Sequence, residues 1–134
     1  MAEIKLEIVT PEKKVFDETV DSVTVPTATG EVGILPNHAP LISSLKSGVL
    51  SYTKGGTTGK MMISGGFVEV SANRASILAN IAETSEEVNT ELARQEREAA
   101  DKIVSNWKGT EEELEAELEK LERANARLQL ASGK

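Results

Sequence analysis

The chain has 134 residues, a net charge of −7 and no cysteine. The length fits one domain, or one small domain with an appendage, and the lack of cysteine excludes disulfides and thiolate metal sites. Nine acidic and seven basic side chains lie in residues 1–84, and thirteen and eight lie in residues 85–134. Neither part offers the basic patch that nucleic-acid binding needs. No apolar stretch is long enough to span a membrane, so we expect a soluble protein that meets a membrane only through a partner.

The first 82 residues have the alternating pattern of short β-strands with one buried and one solvated face. Turn signals at Thr29-Gly30, Lys54-Gly55-Gly56 and Ala72-Asn73-Arg74 separate the runs and suit hairpins. Gly65-Gly66 predicts a bend or a close approach of two backbones. Six runs are predicted strands: Ile4–Ile8, Ser22–Val25, Val49–Thr53, Met61–Ile63, Phe67–Val70 and Ala75–Leu78. The spacing predicts an antiparallel β-sandwich or flattened barrel.

The period changes to helical from Thr84. Thr84-Ser85-Glu86-Glu87 fits a capping box and predicts the start of a first helix, which Lys108-Gly109 ends. The apolar positions that give this helix one face are Val88, Leu92, Ala99 or Ala100, Ile103, Val104 and Trp107.

A second capping box at Thr110-Glu111-Glu112-Glu113 predicts a second helix, which runs to about Ala131. Its narrow seam, with spacings of 4, 3, 4 and 3, consists of Leu114, Leu118, Leu121, Asn125 and Leu128. Such a seam suits one partner helix, and the short loop makes that partner the first helix. The predicted fold is α+β, with a β-sandwich in residues 1–84 and an antiparallel helical hairpin in residues 85–134. Two interpretations of the hairpin stay open, a solvated stalk and a mobile arm.

Catalytic chemistry has no visible support in the sequence. His38 is the sole histidine, and no cysteine or second histidine can join it in a metal site. Serines are present, but nothing in the sequence places His38 beside one as a base. Gly55–Lys60 fails the phosphate-loop pattern because Lys54 stands where the first glycine should be and Met61 replaces the Ser or Thr. The clustered carboxylates lie in predicted first helical turns, where the helix dipole accounts for them. We therefore expect no enzyme.

Three segments carry a family resemblance. They are Gly33-Ile34-Leu35-Pro36-Asn37-His38-Ala39-Pro40, Gly48-Val49-Leu50 and Gly65-Gly66-Phe67-Val68-Glu69-Val70. Together with Thr29–Ile34 and the charged helical tail, they resemble the epsilon subunit of the rotary ATP synthase. The resemblance implies a non-catalytic subunit of the central stalk. Its β-sandwich would hold the gamma subunit and rest on the c-ring, and its helical hairpin would inhibit ATP hydrolysis. The implied location is peripheral, on the cytoplasmic or stromal face of the coupling membrane.

The resemblance also implies two sets of contact residues. Glu31, Gly33 and His38 match the loop that meets the polar side of the c-ring. In the family, basic residues of the hairpin meet an acidic loop of the catalytic beta subunit. The candidates for that contact here are Arg94, Arg97, Arg123, Arg127 and Lys134.

The resemblance implies a nucleotide site in which two residues of the family's motif are replaced. Bacterial relatives bind ATP through an Ile-Asp-x-x-Arg-Ala motif, which stands here as Val88-Asn89-Thr90-Glu91-Leu92-Ala93. The carboxylate has become an amide and the arginine a leucine, and Arg94 lies about 200° around the helix from the arginine position. Glu83, Asn89 and Ala93 remain as nucleotide-site candidates, with Arg123 and Arg127 nearby. We predict no cofactor, and ATP binding that is weak or absent.

Two other function classes compete with this interpretation. A nucleotide-sensing module could close a β-sandwich and a hairpin on a small molecule, but the altered motif disfavours it. A carbohydrate-binding sandwich would need clustered exposed aromatic side chains, and this chain has one Trp, one Tyr and two Phe.

Overall fold

Ten strands and two helices make up the structure, a computed structural model that describes residues 3–132. In chain order the strands are β1 (Ile4–Val9), β2 (Lys14–Val20), β3 (Ser22–Thr27), β4 (Gly30–Ile34), β5 (Leu41–Ser44), β6 (Gly48–Lys54), β7 (Thr57–Ser64), β8 (Phe67–Ser71), β9 (Arg74–Leu78) and β10 (Ile81–Glu83). One five-stranded sheet has the order β2-β1-β9-β8-β5 and the other has the order β10-β7-β6-β3-β4. Two helices follow, α1 (Thr90–Ser105) and α2 (Glu111–Ala131).

The core lies between the two sheets because alternate side chains of each sheet point inward. In β1 the apolar residues Ile4, Leu6 and Ile8 are fully buried, and the residues between them are half-buried. They join one cluster with inward side chains of the second sheet such as Val25 and Leu50. The predicted α+β fold, a β-sandwich followed by a two-helix hairpin, is confirmed. The sandwich is not antiparallel throughout as predicted, because β1 and β9 pair in parallel.

Each predicted strand is present, but four strands were not predicted. The missed strands are β2, β4, β5 and β10, and these are the four edge strands of the two sheets. Edge strands are kept short, charged or interrupted by glycine, which weakens their alternation in sequence. Gly33 and the buried Ile34, the first two residues of the Gly33–Pro40 segment, belong to the missed strand β4.

The Gly65-Gly66 prediction is confirmed as a close approach of two backbones. Gly65 has φ of 72° and Gly66 has φ of 91°, in the region that favours glycine. A Cβ atom on Gly66 would lie 1.8 Å from the carbonyl oxygen of Leu78. No other residue could pass β9 at this point.

The predicted start of the first helix at Thr84 is wrong. The Asn89 side chain accepts a hydrogen bond from the Leu92 N–H and caps α1, which begins at Thr90. Thr84 and Glu87 instead close a turn, in which the Thr84 hydroxyl donates to the Glu87 carboxylate and is not used as a capping acceptor. The helix also ends earlier than predicted, at Ser105.

The second helix follows the prediction closely. Thr110 caps α2 by accepting from the Glu113 N–H at 3.2 Å, and the helix ends at Ala131. Three glutamates occupy its first turn, where the positive end of the helix dipole favours them.

The predicted seam of the hairpin is partly wrong. Leu118 and Asn125 are exposed, as are Leu92 and Ile103 of α1. The residues buried in the two helices are mostly alanines: Ala93, Ala100, Ala124, Ala126 and Leu130. The prediction assumed one partner for α2, whereas α2 packs on α1 and also on the second sheet. The apolar stripe of α2 is therefore wider than the predicted seam and includes Ala124, Ala126 and Leu130.

Candidate functional site

A cleft of about 270 Å³ lies where the last strand meets both helices. It contains all three predicted nucleotide-site residues, which come from β10 and from the beginning of α1. The side chains that line it are Glu83, Glu87, Asn89, Leu92, Ala93, Glu96 and Arg127. Glu96 was not predicted, although its position one helical turn after Ala93 on the same face of α1 could have indicated it.

Arg127 is the centre of this cleft. Its Nε donates to Glu83 Oε1 at 2.8 Å and its Nη2 donates to Glu83 Oε2 at 3.3 Å. Its Nη1 donates to Glu96 Oε2 at 3.5 Å. The Arg127 side chain is only 16% exposed, so this forked pair is largely shielded from water. One guanidinium thereby joins β10, α1 and α2.

The electrostatics of the cleft oppose an anionic ligand. Glu83, Glu87 and Glu96 surround a single guanidinium, and two of the three already pair with it. The backbone N–H of Thr84 and then its hydroxyl donate to Glu87, which lowers the pKa of that carboxyl below its ordinary 4.5 and keeps it charged at neutral pH. A phosphate group would meet net negative charge here.

The polar groups of the cleft are also used internally. Asn89 caps α1 by accepting from the Leu92 backbone N–H, and the Leu92 side chain offers no hydrogen-bond donor to a ligand. Within residues 3–132, no buried side-chain nitrogen or oxygen lacks a hydrogen-bond partner. The described part of the chain also has no three His, Asp or Glu side chains placed so that they could hold one metal ion. The arrangement suits the fastening of helices to a strand better than the binding of a ligand.

The predicted inhibitory arginines fall into two pairs. Arg123 and Arg127 face the sandwich, where Arg123 Nε donates to the buried Ser64 Oγ at 3.3 Å. Arg94 and Arg97 are exposed on α1, and Arg94 pairs with Glu91 on its own helix at 2.9 Å. Lys134, the remaining candidate, lies outside the described residues.

A second contact fastens α2 to the sandwich near Arg123. Ser64 shares a hydrogen bond of 2.8 Å with Ser47, and Lys46 lies 3.9 Å from the Glu122 carboxylate. Ala126 and Leu130 pack beside them on Met62. The hairpin in this structure is thus docked on the second sheet.

The predicted ring-side residues lie along β4 and the loop that follows it. Glu31 and Gly33 are exposed on the same face of this edge strand, and Leu35 continues that face with 62% of its surface exposed. His38 is half-buried, and its Nδ1 lies 2.7 Å from the Ala39 carbonyl oxygen. The structure therefore gathers Glu31 and Gly33 on one surface and places His38 in the adjoining loop.

The sequence analysis missed an apolar strip on the outer face of the first sheet. Phe67 and Leu78 are paired across β8 and β9 and are 46% and 40% exposed. Ile42 of β5 lies on the same face and is 71% exposed. Adjacent apolar residues in a strand, as at Phe67-Val68, are the signal that could have revealed it, since one of the two must face outward.

Neither helix, as far as residues 3–132 are described, has the length and apolar character needed to cross a membrane.

Comparison with known proteins agrees with the fold and extends along the whole chain. The sequence model of the family described as ATP synthase, Delta/Epsilon chain, beta-sandwich domain matches residues 3–85. The ATP synthase epsilon chain of Syntrophobacter fumaroxidans is 46% identical over 132 residues, which is 98% of each chain. The chain belongs to the ATP synthase epsilon subunit family. The predicted resemblance is confirmed, and so is the prediction of a non-catalytic subunit, since that is what this family comprises.

Two further relatives support the same conclusion. The ATP synthase epsilon chain of Carboxydothermus hydrogenoformans is 54% identical over 97 residues, 72% of each chain. A chain in a cryo-EM structure of the Euglena gracilis mitochondrial ATP synthase, comprising OSCP, F1 and the c-ring, has a TM-score of 0.83 and 26% identity. It covers 98% of this chain and 82% of its own length. The likeness therefore includes the helical hairpin as well as the sandwich.

Proposed function

We propose that this chain is a rotor subunit in the central stalk of a proton-translocating ATP synthase, peripheral on the cytoplasmic or stromal face of the coupling membrane. It couples the gamma subunit and the c-ring to the catalytic head. The observation that carries the proposal is the likeness over the whole chain, sandwich and hairpin together, to epsilon chains and to a chain in an assembly with F1 and the c-ring. In this proposal residues 1–84 anchor the subunit and residues 85–134 regulate it.

Two separate surfaces of the sandwich support two separate partners. Glu31 and Gly33 on β4, with His38 in the adjoining loop, offer polar and small residues beside the exposed Leu35, and we assign this surface to the polar side of the c-ring. The exposed apolar strip of Ile42 and Phe67 lies on the outer face of the other sheet, and such strips mark protein contacts. We assign that strip to the gamma subunit.

Inhibition of ATP hydrolysis would require the hairpin to leave the sandwich. Arg123 and Arg127 are used for docking, so neither can reach the beta subunit while the hairpin is in the position described here. Arg94 and Arg97 are already exposed. The two pairs therefore have opposite expected effects, because removal of an outward arginine weakens inhibition and removal of a docking arginine releases the inhibitory arm.

The test is ATP hydrolysis by the ATP synthase depleted of this subunit and titrated with the full-length chain. Wild type should inhibit saturably, and Arg94→Ala with Arg97→Ala should inhibit less. Arg127→Met should inhibit at lower concentrations than wild type. Lys54→Ala with Lys60→Ala removes the same charge from strands β6 and β7 of the sandwich and is the matched control. Binding of the wild-type chain without any inhibition would contradict the regulatory role, and absence of binding would contradict the rotor assignment.

The alternative of a nucleotide-sensing module receives no support from the cleft. Its guanidinium is paired, its remaining charges are negative and its Leu92 side chain has no hydrogen-bond donor. Isothermal titration of the full chain with ATP should show no micromolar binding. Binding at that level would overturn our proposal that this chain is not regulated by nucleotide.

A further inference from the structure

The two-residue turn between β8 and β9 fastens the loop that contains His38. Ala72 and Asn73 form this turn with φ of 51° and 58°, both in the left-handed region, as a type I′ hairpin requires. The Asn73 carbonyl accepts from the Lys5 N–H at 3.2 Å, and its side-chain Nδ2 donates to the Glu3 carbonyl oxygen at 2.8 Å. Asn73 is thus held in place by the first strand.

The remaining side-chain atom of Asn73 reaches the loop. Its Oδ1 accepts from the backbone N–H of Asn37 at 2.9 Å, across 36 positions in sequence. The two partners fix the orientation of the amide, because a flipped amide would set its N–H₂ against the Asn37 N–H and its oxygen against the Glu3 carbonyl. The contact is therefore specific for an asparagine side chain.

The loop itself is a tight turn with one weak point. The His38 N–H donates to the Leu35 carbonyl at 3.1 Å, with Pro36 in the second position and Asn37 in the third at φ of 63°. This is the arrangement of a type II turn, which glycine occupies more readily than asparagine at the third position. The bond from Asn73 holds the one residue whose backbone is unfavourable.

We infer that Asn73 is a positioning residue, which holds the Leu35–His38 turn in the conformation that presents His38 and the end of β4 to the c-ring. The inference rests on the ring interface that we propose above. Asn73 itself does not touch the ring surface in this account. It acts through the Asn37 backbone, which it fixes relative to the first strand.

The first part of the test is amide hydrogen exchange by NMR on the full-length chain. Asn73→Gly keeps the left-handed turn and removes the side-chain amide. Exchange of the Asn37 backbone N–H should then accelerate about threefold to tenfold, which corresponds to the loss of one hydrogen bond. Asn73→Asp keeps the acceptor for Asn37 but sets a carboxylate oxygen against the Glu3 carbonyl, so it should recover only part of the slow exchange. Ala72→Gly alters the same turn without touching the contact and should match wild type. Unchanged Asn37 exchange in Asn73→Gly would overturn the inference.

The second part measures binding of the same variants to a detergent-solubilised complex of gamma and c-ring. Asn73→Gly should weaken binding by a similar factor, and Asn73→Asp should weaken it less. Ala72→Gly should bind like wild type, and His38→Ala should weaken binding. If His38→Ala weakens binding and Asn73→Gly does not, the positioning role is wrong and the proposed interface stands. If neither variant changes binding, the proposed interface is wrong and the positioning role fails with it.

Discussion

The β-sandwich and the helical hairpin are held by different kinds of contact. The largest fully buried side chains of the chain all lie between Ile4 and Ile77, and they are Ile, Leu, Val and Met. The buried residues of the two helices are four alanines and Leu130. A fully buried Leu or Ile is worth about 1.5–3 kcal/mol and a methyl-sized group about 0.8 kcal/mol. The sandwich therefore has a core of its own, whereas the hairpin depends on small apolar contacts and a few polar ones.

This difference shows that the contacts holding the hairpin are separate from the core that holds the sandwich. Arg127, Arg123 and a short apolar contact at Met62 fasten α2 to the second sheet. Charged hydrogen bonds of this kind exchange readily with water once the helix moves away. Separation of the hairpin would leave the core between the two sheets intact, because that core contains no helical residue.

The largest expected effect is the difference in stability loss between two Leu→Ala substitutions, one in the sandwich and one in the hairpin. Leu6→Ala opens a cavity in the fully buried core and should lower the free energy of unfolding by about 2–5 kcal/mol. Leu121→Ala, at a half-buried position of α2, should cost about 1 kcal/mol because less surface is lost and the site can close. Urea unfolding of both variants provides the measurement. Equal losses would contradict the division into a strong and a weak region.

The next effect concerns the ion pair that joins three elements. Arg127→Met leaves Glu83 and Glu96 without their partner and should lower the free energy of hairpin docking by about 1.5–3 kcal/mol. Amide exchange of α1 and α2 should accelerate, and that of β1 and β9 should not. Arg94→Met removes an exposed pair on one helix and is the control, with about 0.3–0.5 kcal/mol expected. Acceleration throughout the sandwich would show that the two regions are one cooperative unit.

A smaller effect distinguishes a helix cap from a turn. Thr110→Ala removes the cap of α2 and should cost about 1 kcal/mol, measured by thermal unfolding. Thr84→Ala alters a sequence with the same capping pattern, but here the hydroxyl is only a donor to Glu87 in an exposed turn. Its cost should be less than half that of Thr110→Ala. The reverse order would mean that the helix does begin at Thr84.

The smallest effect is the response of the same turn to pH. The pKa of Glu87 lies below its ordinary 4.5 because Thr84 donates to the ionised carboxylate. Its contribution to stability is present above pH 4.5 and is lost as the pH falls through the lowered pKa. Wild type should therefore lose more stability between pH 6 and pH 3 than Glu87→Gln does. Identical losses in thermal unfolding would contradict the role of this hydrogen bond.

The sequence predicted the centre of the molecule better than its edges. Central strands such as β1 and β8 bury alternate residues, and this shows in the sequence as a period of two. The edge strands do not, because β4 carries two glycines and β10 has only three residues. The hairpin was predicted as a pair of helices, yet its contacts were not, since alanine carries little signal and α2 has two partners.

Several residues of the candidate site could be predicted from the sequence, but their contacts could not. Glu83, Asn89, Ala93 and Arg127 were named from a resemblance, and the structure brings them to one cleft. What their sequence positions could not indicate is that Arg127 pairs with Glu83 across 44 residues and with Glu96 across 31. Such pairing depends on the docking of α2, which no local pattern encodes. Arg123 and Arg127 were likewise predicted as contacts to a partner, and within this structure they are contacts to the sandwich.

The most direct measurement is native-state hydrogen exchange of the full chain, followed by mass spectrometry at increasing concentrations of urea. If the hairpin is a releasable arm on an independent sandwich, amides of α1 and α2 will exchange through an opening with a lower free energy than that of β1, β9 and β8, and Arg127→Met will lower the free energy of that opening alone. A single opening energy shared by helices and strands, shifted equally by Arg127→Met, would contradict the account.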